Sequence, residues 1–174
     1  AQSSRITRHL PVTVIPNAFD CPPLQVPKET SQTVKTICFA AARIDTELKG
    51  FDDLLQALDH LRHRTDLELV LIGGLNDQRI LQQIPIPYRY LGYQRDMLSI
   101  YASADCVVSC SRYETLPTTL VEAQAVGTTP VAYRHSGALD LITDGVTGYL
   151  AEYRDTRSLA NAIERATDHP LPPA

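Results

Sequence analysis

The chain has 174 residues, of which 44% are hydrophobic, and its formal net charge is −4 at neutral pH. This length suits one domain with a substantial core, with two small domains as the alternative. The acidic balance excludes a general nucleic-acid binder, and no apolar run approaches the ~20 residues of a transmembrane helix. A bound anion would therefore be held locally, by a few Arg or Lys side chains and by helix N-termini.

Composition divides the chain into three parts. Five of the twelve prolines lie within residues 11–27, and all eight glycines lie at or beyond Gly50. We therefore predict an entry strand and connector over 1–33, a compact body over 34–168 and a tail over 169–174. None of the four cysteines is spaced as Cys-x-x-Cys, which favours buried free thiols in a reducing compartment. The chain begins without Met, which leaves open that it is a trimmed fragment.

The predicted elements alternate between strands and helices. In chain order they are a strand at 12–15, a strand at 36–41, a helix at 51–61, a strand at 67–72, a weaker helix at 77–83, a strand at 88–91, a helix at 97–101, a strand at 106–109, a helix at 118–126, a strand at 129–133, a short helix at 139–143, a strand at 149–151 and a helix at 156–167. The strands are continuous apolar runs, so both of their faces are expected to be covered. The sequence predicts an α/β fold with a doubly wound parallel sheet and helices on both faces.

Ligands of an open parallel sheet bind beyond the carboxyl ends of its strands. Five segments follow predicted strands and should open onto one edge: 43–49, 73–76, 92–96, 109–118 and 134–137. The first holds Arg43, which offers a planar fork of donors, and Lys49, which offers a point charge. Together they suit a diphosphate. The alternative is a solvated loop in which Asp45 and Glu47 neutralise both cations.

Two carboxylates stand eight residues apart: Glu114 on a loop after a strand, and Glu122 on the helix that follows. They could form a catalytic pair, or accept hydrogen bonds from sugar hydroxyls while the helix N-terminus between them holds a phosphate. Pro117 stiffens the loop, and Thr118 and Thr119 are expected to cap the helix. The alternative to a ligand site is that these loop residues only cap the helix and that the glutamate is an ordinary surface residue.

Other candidates carry weaker signals. His60 and His63 are three residues apart on a predicted helix, but no further metal ligands are evident, so a solvated face is expected. Tyr93 could face a nucleobase or pack in the core. His135 could touch a phosphate or be a plain loop residue. The glycines at 73–74 lack the rest of a dinucleotide-binding fingerprint.

Taken together, these segments resemble the C-terminal, donor-binding domain of retaining glycosyltransferases of the GT-B fold, family 4 (glycosyl transferases group 1). Arg43 and Lys49 stand six residues apart before Gly50, and Glu114 and Glu122 form the E-x7-E motif. Further matches are Val14–Asn17, Val70–Gly73, Tyr90–Tyr93, Pro130–Val131 and Asp144–Gly148. The resemblance covers roughly residues 12–167. It departs at Ala42, where the family usually has Gly and a methyl group could crowd a backbone approach.

The resemblance implies that 34–168 is a Rossmann-like nucleotide-sugar-binding domain, one half of a GT-B enzyme. It implies a catalytic role for Arg43 and Lys49, which would hold the diphosphate of the donor. Glu114, also catalytic, would contact the hydroxyls of the donor sugar, and Glu122 would bind the ribose.

The remaining donor-binding residues follow from the same resemblance. Gly73 and Tyr93 would line the base pocket, and the backbone around Leu116, Thr118 and Thr119 would face sugar and phosphate. No metal or other cofactor is implied, because two cations do the work that Mg²⁺ does in many phosphoryl sites.

The implied reaction moves a sugar from a nucleoside diphosphate to an acceptor hydroxyl with anomeric retention, in polysaccharide or glycoconjugate biosynthesis. The acceptor, a sugar or a lipid-linked molecule, would be bound by an N-terminal domain absent from this chain. We therefore expect the isolated domain to be inactive. We expect a cytoplasmic location. The sequence leaves open whether the full-length enzyme associates with the membrane surface. A nucleotide-sugar epimerase-like domain and a non-catalytic nucleotide-sugar sensor are the alternatives.

Overall fold

The computed structural model describes residues 33–171, and its centre is a parallel sheet of six strands. The strands are β1 (Lys35–Arg43), β2 (Leu67–Gly74), β3 (Tyr88–Tyr90), β4 (Cys106–Ser109), β5 (Thr129–Tyr133) and β6 (Tyr149–Ala151). Their order across the sheet is β3-β2-β1-β4-β5-β6, and every pairing is parallel. The order reverses between β1 and β4, which is where such sheets form a ligand crevice.

Helices cover both faces of this sheet, as its continuous apolar strands predict. They are α1 (Phe51–His60), α2 (Met97–Ser103), α3 (Thr118–Ala125), α4 (Ala138–Leu141) and α5 (Thr156–Asp168). On one face, α1 and α5 enclose the largest core cluster. On the other, α2, α3 and α4 cover two smaller clusters. The doubly wound α/β prediction is therefore confirmed.

The helix α5 illustrates how the sequence sets an element. Its apolar side chains Leu159, Ala162, Ile163 and Ala166 recur at helical spacing and are all buried. At its start, the Asp155 carboxylate accepts hydrogen bonds from two backbone N–H groups of the first turn. Amphipathic spacing and a capping residue together explain why this predicted helix has nearly the predicted bounds.

Several predictions differ from the structure or lie outside it. The predicted strand at 12–15 lies outside the described residues. The helix predicted at 77–83 is a 3₁₀ turn over Gln78–Gln83, and the one predicted at 139–143 is shorter, ending at Leu141. A second 3₁₀ turn, Glu47–Lys49, was not predicted. The helix α3 begins at Thr118 as predicted, but the expected cap by Thr118 and Thr119 is wrong, because Pro117 occupies the capping position and no side chain caps the helix.

The prediction of buried free thiols is confirmed for Cys38 and Cys110. Cys106 is also buried, whereas Cys21 lies outside the described residues. Burial raises the pKa of the Cys38 thiol to about 12, so it stays protonated at neutral pH. Within 33–171, no helix has the length and apolar character needed to cross a bilayer. At the carboxyl end, the Leu171 N–H donates to Thr129 Oγ1 at 3.0 Å.

Candidate functional site

A pocket of about 430 Å³ lies at the carboxyl edge of the sheet, beside the crevice between β1 and β4. Segments after four strands contribute to it, as the predicted convergence on one edge requires. The residues lining it are Ala40, Ala41, Ala42, Lys49, Ile72, Gly73, Tyr93, Gln94, Met97, Tyr101, Glu114, Leu116, Thr118, Thr119 and Glu122. Eight of the nine predicted site residues are among them; the ninth, Arg43, is not.

One wall of the pocket is an ion pair between two distant segments of the chain. Lys49 Nζ donates to Glu114 Oε2 at 2.8 Å, and the side chains are 34% and 29% exposed. Lys49 ends the 3₁₀ turn before α1, and Glu114 lies in the loop between β4 and α3. The structure thus places one cation and one carboxylate where a ligand can meet both.

The N-terminus of α3 forms the adjoining wall. The first backbone N–H groups of a helix have no acceptor within the helix, so those of Thr118 and Thr119 are free to donate to a ligand. Glu122 lies about one turn further along and also faces the pocket. Burial raises the pKa of the Glu122 carboxyl above its usual range, because desolvation disfavours the charged form.

The opposite wall depends on a close approach of two backbones. Gly73 has φ +128, and a Cβ there would overlap the carbonyl oxygen of Ala41. The pairing of β1 with β2 also shifts between Ala40 and Arg43, so β1 carries one extra residue here. Such a bulge beside a site redirects the strand. Only glycine therefore fits at position 73 in this wall.

Tyr93 lies over this wall and is not packed in the core. Its side chain is 72% exposed, and its hydroxyl donates to the carbonyl oxygen of Ala42 at 2.8 Å. The neighbouring Tyr90 hydroxyl donates to the Gly73 carbonyl oxygen at 2.8 Å. The aromatic face of Tyr93 is thus available at the rim of the pocket.

Arg43 is the predicted site residue that the structure leaves outside the pocket. It ends β1 opposite Gly74, and its side chain is exposed. Among the described residues, the guanidinium of Arg43 has no carboxylate partner. The alternative, neutralisation of the two cations by Asp45 and Glu47, also does not occur: Asp45 accepts from two backbone N–H groups, and Glu47 pairs with Arg112.

The loop between β4 and α3 is supported by the segment that follows β5. The Gly137 N–H donates to the Glu114 carbonyl oxygen at 3.2 Å. His135 Nε2 lies 2.7 Å from the Ser111 carbonyl oxygen, which can only accept, so Nε2 carries a proton. His135 therefore supports the loop in this structure, and a contact with phosphate, one of the two alternatives left open by the sequence, stays untested.

Sequence reasoning missed the packing beneath the ion pair. Gly50 has φ +67, and a Cβ there would overlap the Cys110 carbonyl oxygen. The Cys110 thiol donates to the Gly50 carbonyl oxygen at 3.1 Å. Beside them, the largely buried Arg112 pairs with three carboxylates. The signal that could have indicated this contact is a cation two residues before the E-x7-E motif, together with three acidic residues within 47–53.

No cluster of possible metal ligands occurs within residues 33–171. His60 and His63 are exposed, as expected for a solvated face.

The sequence profile of the family described as glycosyl transferases group 1 matches residues 35–169. Among curated relatives, the chain is 31% identical over 103 residues to the GDP-mannose-dependent alpha-mannosyltransferase of Corynebacterium glutamicum, a match that covers 58% of this chain and 25% of the relative. It is 31% identical over 132 residues to the N-acetyl-alpha-D-glucosaminyl L-malate synthase of Bacillus anthracis, covering 72% and 35%. The chain thus spans about a quarter to a third of these relatives.

Solved structures with this fold include a mutant of S. aureus TarM in complex with Fondaparinux, alpha-GlcNAc-glycerol and UDP. Its TM-score is 0.76 at 18% identity, covering 94% of this chain and 34% of TarM. Anabaena Alr3699/HepE in complex with UDP and glucose has a TM-score of 0.67 at 23% identity, covering 78% and 41%. These likenesses establish the fold. Because the family profile spans nearly all of the described residues, the chain belongs to the glycosyl transferases group 1 family.

Proposed function

We propose that this chain is the nucleotide-sugar-binding domain of a retaining hexosyltransferase of the GT-B type. The observation that carries the proposal is the Lys49–Glu114 pair next to the N-terminus of α3 in one pocket. A nucleotide sugar combines an anionic diphosphate with neutral hydroxyls, and this wall offers partners for both. Retention at the anomeric carbon rests on the family resemblance.

Each part of the donor has a chemically matching partner in the pocket. Lys49 and the N–H groups of Thr118 and Thr119 would hold the diphosphate, with the N-terminus of α3 adding its positive partial charge. Glu114 would accept hydrogen bonds from the hydroxyls of the sugar, and Glu122 from those of the ribose. Arg43 would reach the diphosphate from the rim.

Gly73, Leu116 and Tyr93 would complete the donor site. Tyr93 would offer its ring to the nucleobase, above the close backbone approach at Gly73, and Leu116 would face the sugar. Support comes from the position of all three in the lining of the pocket.

Charge development explains how such a site would accelerate transfer. As the bond between the anomeric carbon and the diphosphate breaks, negative charge grows on the departing phosphate oxygens. Donors fixed in advance stabilise this charge more in the transition state than in the ground state. The pocket supplies them from Lys49 and the start of α3, so the proposed reaction requires no metal ion.

The complete enzyme would need a second domain. The chain spans 25% and 35% of the two curated relatives, which leaves room for one. We propose that this other domain binds the acceptor, a sugar or lipid-linked molecule, and that the present chain alone does not transfer sugar. The relatives' activities and the buried thiols of Cys38 and Cys110 support a cytoplasmic role in polysaccharide or glycoconjugate biosynthesis.

The test is a thermal-shift and calorimetry panel of UDP-, GDP- and ADP-sugars against the 174-residue chain. A matching donor at about a hundred times its Kd should stabilise the fold by roughly 2.7 kcal/mol. Lys49→Ala should abolish most of this shift. The matched control is Lys35→Ala, because Lys35 is equally exposed at 33% and pairs with Asp105 at the opposite edge of the sheet. The proposal fails if no nucleotide sugar binds, or if both variants lose binding equally.

A further inference from the structure

Arg112 lies outside the pocket, yet it joins the two segments that carry Lys49 and Glu114. We propose that Arg112 is a positioning residue that fixes the separation of the Lys49 and Glu114 side chains without touching the ligand. The inference rests on the proposed function, because it concerns the same donor site.

The Arg112 side chain is 10% exposed and contacts three carboxylates. Its Nη1 donates to Glu47 Oε1 at 3.1 Å, and its Nη2 donates to Asp53 Oδ1 at 3.0 Å and to Asp52. Glu47 begins the 3₁₀ turn that ends at Lys49, and the two aspartates lie in the first turn of α1. One guanidinium therefore holds both elements that flank Lys49.

The backbone of Arg112 is fixed on both sides. Its N–H donates to the Leu48 carbonyl oxygen at 2.8 Å, and its carbonyl oxygen accepts from the Tyr153 hydroxyl at 3.1 Å. Leu48 directly precedes Lys49, and Glu114 follows Arg112 by two residues. A displacement of Arg112 would therefore move both members of the ion pair.

Asp53 anchors this network in the core. It is 5% exposed, and its second carboxylate oxygen accepts from the Tyr133 hydroxyl at 3.2 Å. Tyr133 ends β5 and is itself buried. A buried carboxylate needs its cation, so Arg112 cannot swing outward without leaving Asp53 uncompensated.

Arg112 could also serve only to stabilise the fold, and a matched control is needed to distinguish that role from positioning. Arg64 provides this control. Arg64 is 16% exposed and also pairs with three carboxylates: Asp66, Glu164 and Asp168. It lies just before β2, at the amino edge of the sheet, whereas the pocket lies at the carboxyl edge. Changes at Arg64 perturb an equally dense cluster without reaching the site.

The experiment compares Arg112→Lys and Arg112→Met with the same two changes at Arg64, in the 174-residue chain. The lysine variants keep the charge, so they guard against loss of folding, but they lose the planar fork. Amide hydrogen exchange reports the order of residues 47–50 and 110–117, and calorimetry measures the Kd for UDP, GDP and ADP. We expect the Arg112 variants to exchange faster in both segments and to bind about ten- to hundredfold more weakly, by analogy with outer-shell residues of metal sites. The Arg64 variants should change neither.

A double-mutant cycle tests whether Arg112 affects nucleotide binding through Lys49. If Arg112 acts through Lys49, Arg112→Lys should weaken binding in the wild type but add little in a Lys49→Ala background. Full additivity, or unchanged exchange in both segments, overturns the inference. If the wild-type chain binds none of the three nucleotides, the proposed function fails, while the exchange comparison still decides whether Arg112 holds the two segments together.

Discussion

Replacing Gly50 by Ala should destabilise the fold far more than the same change at Gly92. The two glycines have nearly equal left-handed φ values, +67 and +63. A Cβ at Gly50 would overlap the carbonyl oxygen of Cys110, whereas a Cβ at Gly92 would meet nothing within 4 Å. The pair therefore separates the cost of the backbone conformation from the cost of the close approach.

The magnitude follows from these two contributions. A left-handed conformation costs an alanine roughly 1–2 kcal/mol, and the gain from a stiffer unfolded chain is common to both variants. Overpacking against a backbone atom adds about 1–3 kcal/mol. We therefore expect the free energy of unfolding to fall by about 1–2 kcal/mol for Gly92→Ala and by about 2–5 kcal/mol for Gly50→Ala.

Urea denaturation followed by circular dichroism measures both variants against the wild type, with the m-value as a check on two-state unfolding. The difference between the variants is the quantity of interest, since it cancels the shared contributions. Equal destabilisation would refute the close packing of the 47–50 and 110–117 segments on which the site geometry depends.

In the complete enzyme, Lys49→Ala and Arg43→Ala should each lower kcat by about two orders of magnitude or more, because each removes charge stabilisation worth about 3–4 kcal/mol. Near-normal turnover in a variant would show that this cation does not stabilise the departing diphosphate. EDTA should leave turnover unchanged, and loss of activity would indicate a metal. Burial raises the pKa of the Glu122 carboxyl. The charged carboxylate therefore destabilises the folded state relative to the unfolded state once the pH exceeds about 4.3, the pKa of an unperturbed glutamate. Glu122→Gln should therefore stabilise the fold at neutral pH and not below pH 4, as measured by denaturation across pH; a gain independent of pH would contradict this. In the wild type, UDP affinity should fall as the pH is lowered through the raised pKa of Glu122, because a protonated carboxyl accepts hydrogen bonds from hydroxyls less well.

The sheet could be predicted from sequence because each strand is an apolar run ended by turn residues. The runs at 106–109, 129–133 and 149–151 have the predicted bounds. The 3₁₀ turn at Glu47–Lys49 could not be predicted, because it depends on the left-handed Gly50 and on contacts with a segment sixty residues away. Short elements that form through tertiary packing leave little local signal.

The composition of the pocket was largely predictable, since the ends of parallel strands share one edge. The position of Arg43 was not. The extra residue in β1 between Ala40 and Arg43 changes the alternation of side chains, and nothing in Ala40–Ala42 marks a bulge. The role of Arg112 was also hidden, because its carboxylate partners lie about sixty residues earlier in the chain.

The ion pair between Lys49 and Glu114 has a consequence for selectivity. Lys49 has the Glu114 carboxylate as a counterion 2.8 Å away, so a simple anion such as inorganic phosphate must compete with that carboxylate. A molecule that carries both hydroxyls and a negative group can separate the ion pair and still give each side chain a partner, with the hydroxyls donating to Glu114 and the negative group pairing with Lys49. We therefore expect the ion pair to disfavour small anions such as inorganic phosphate and to favour ligands that carry both kinds of group.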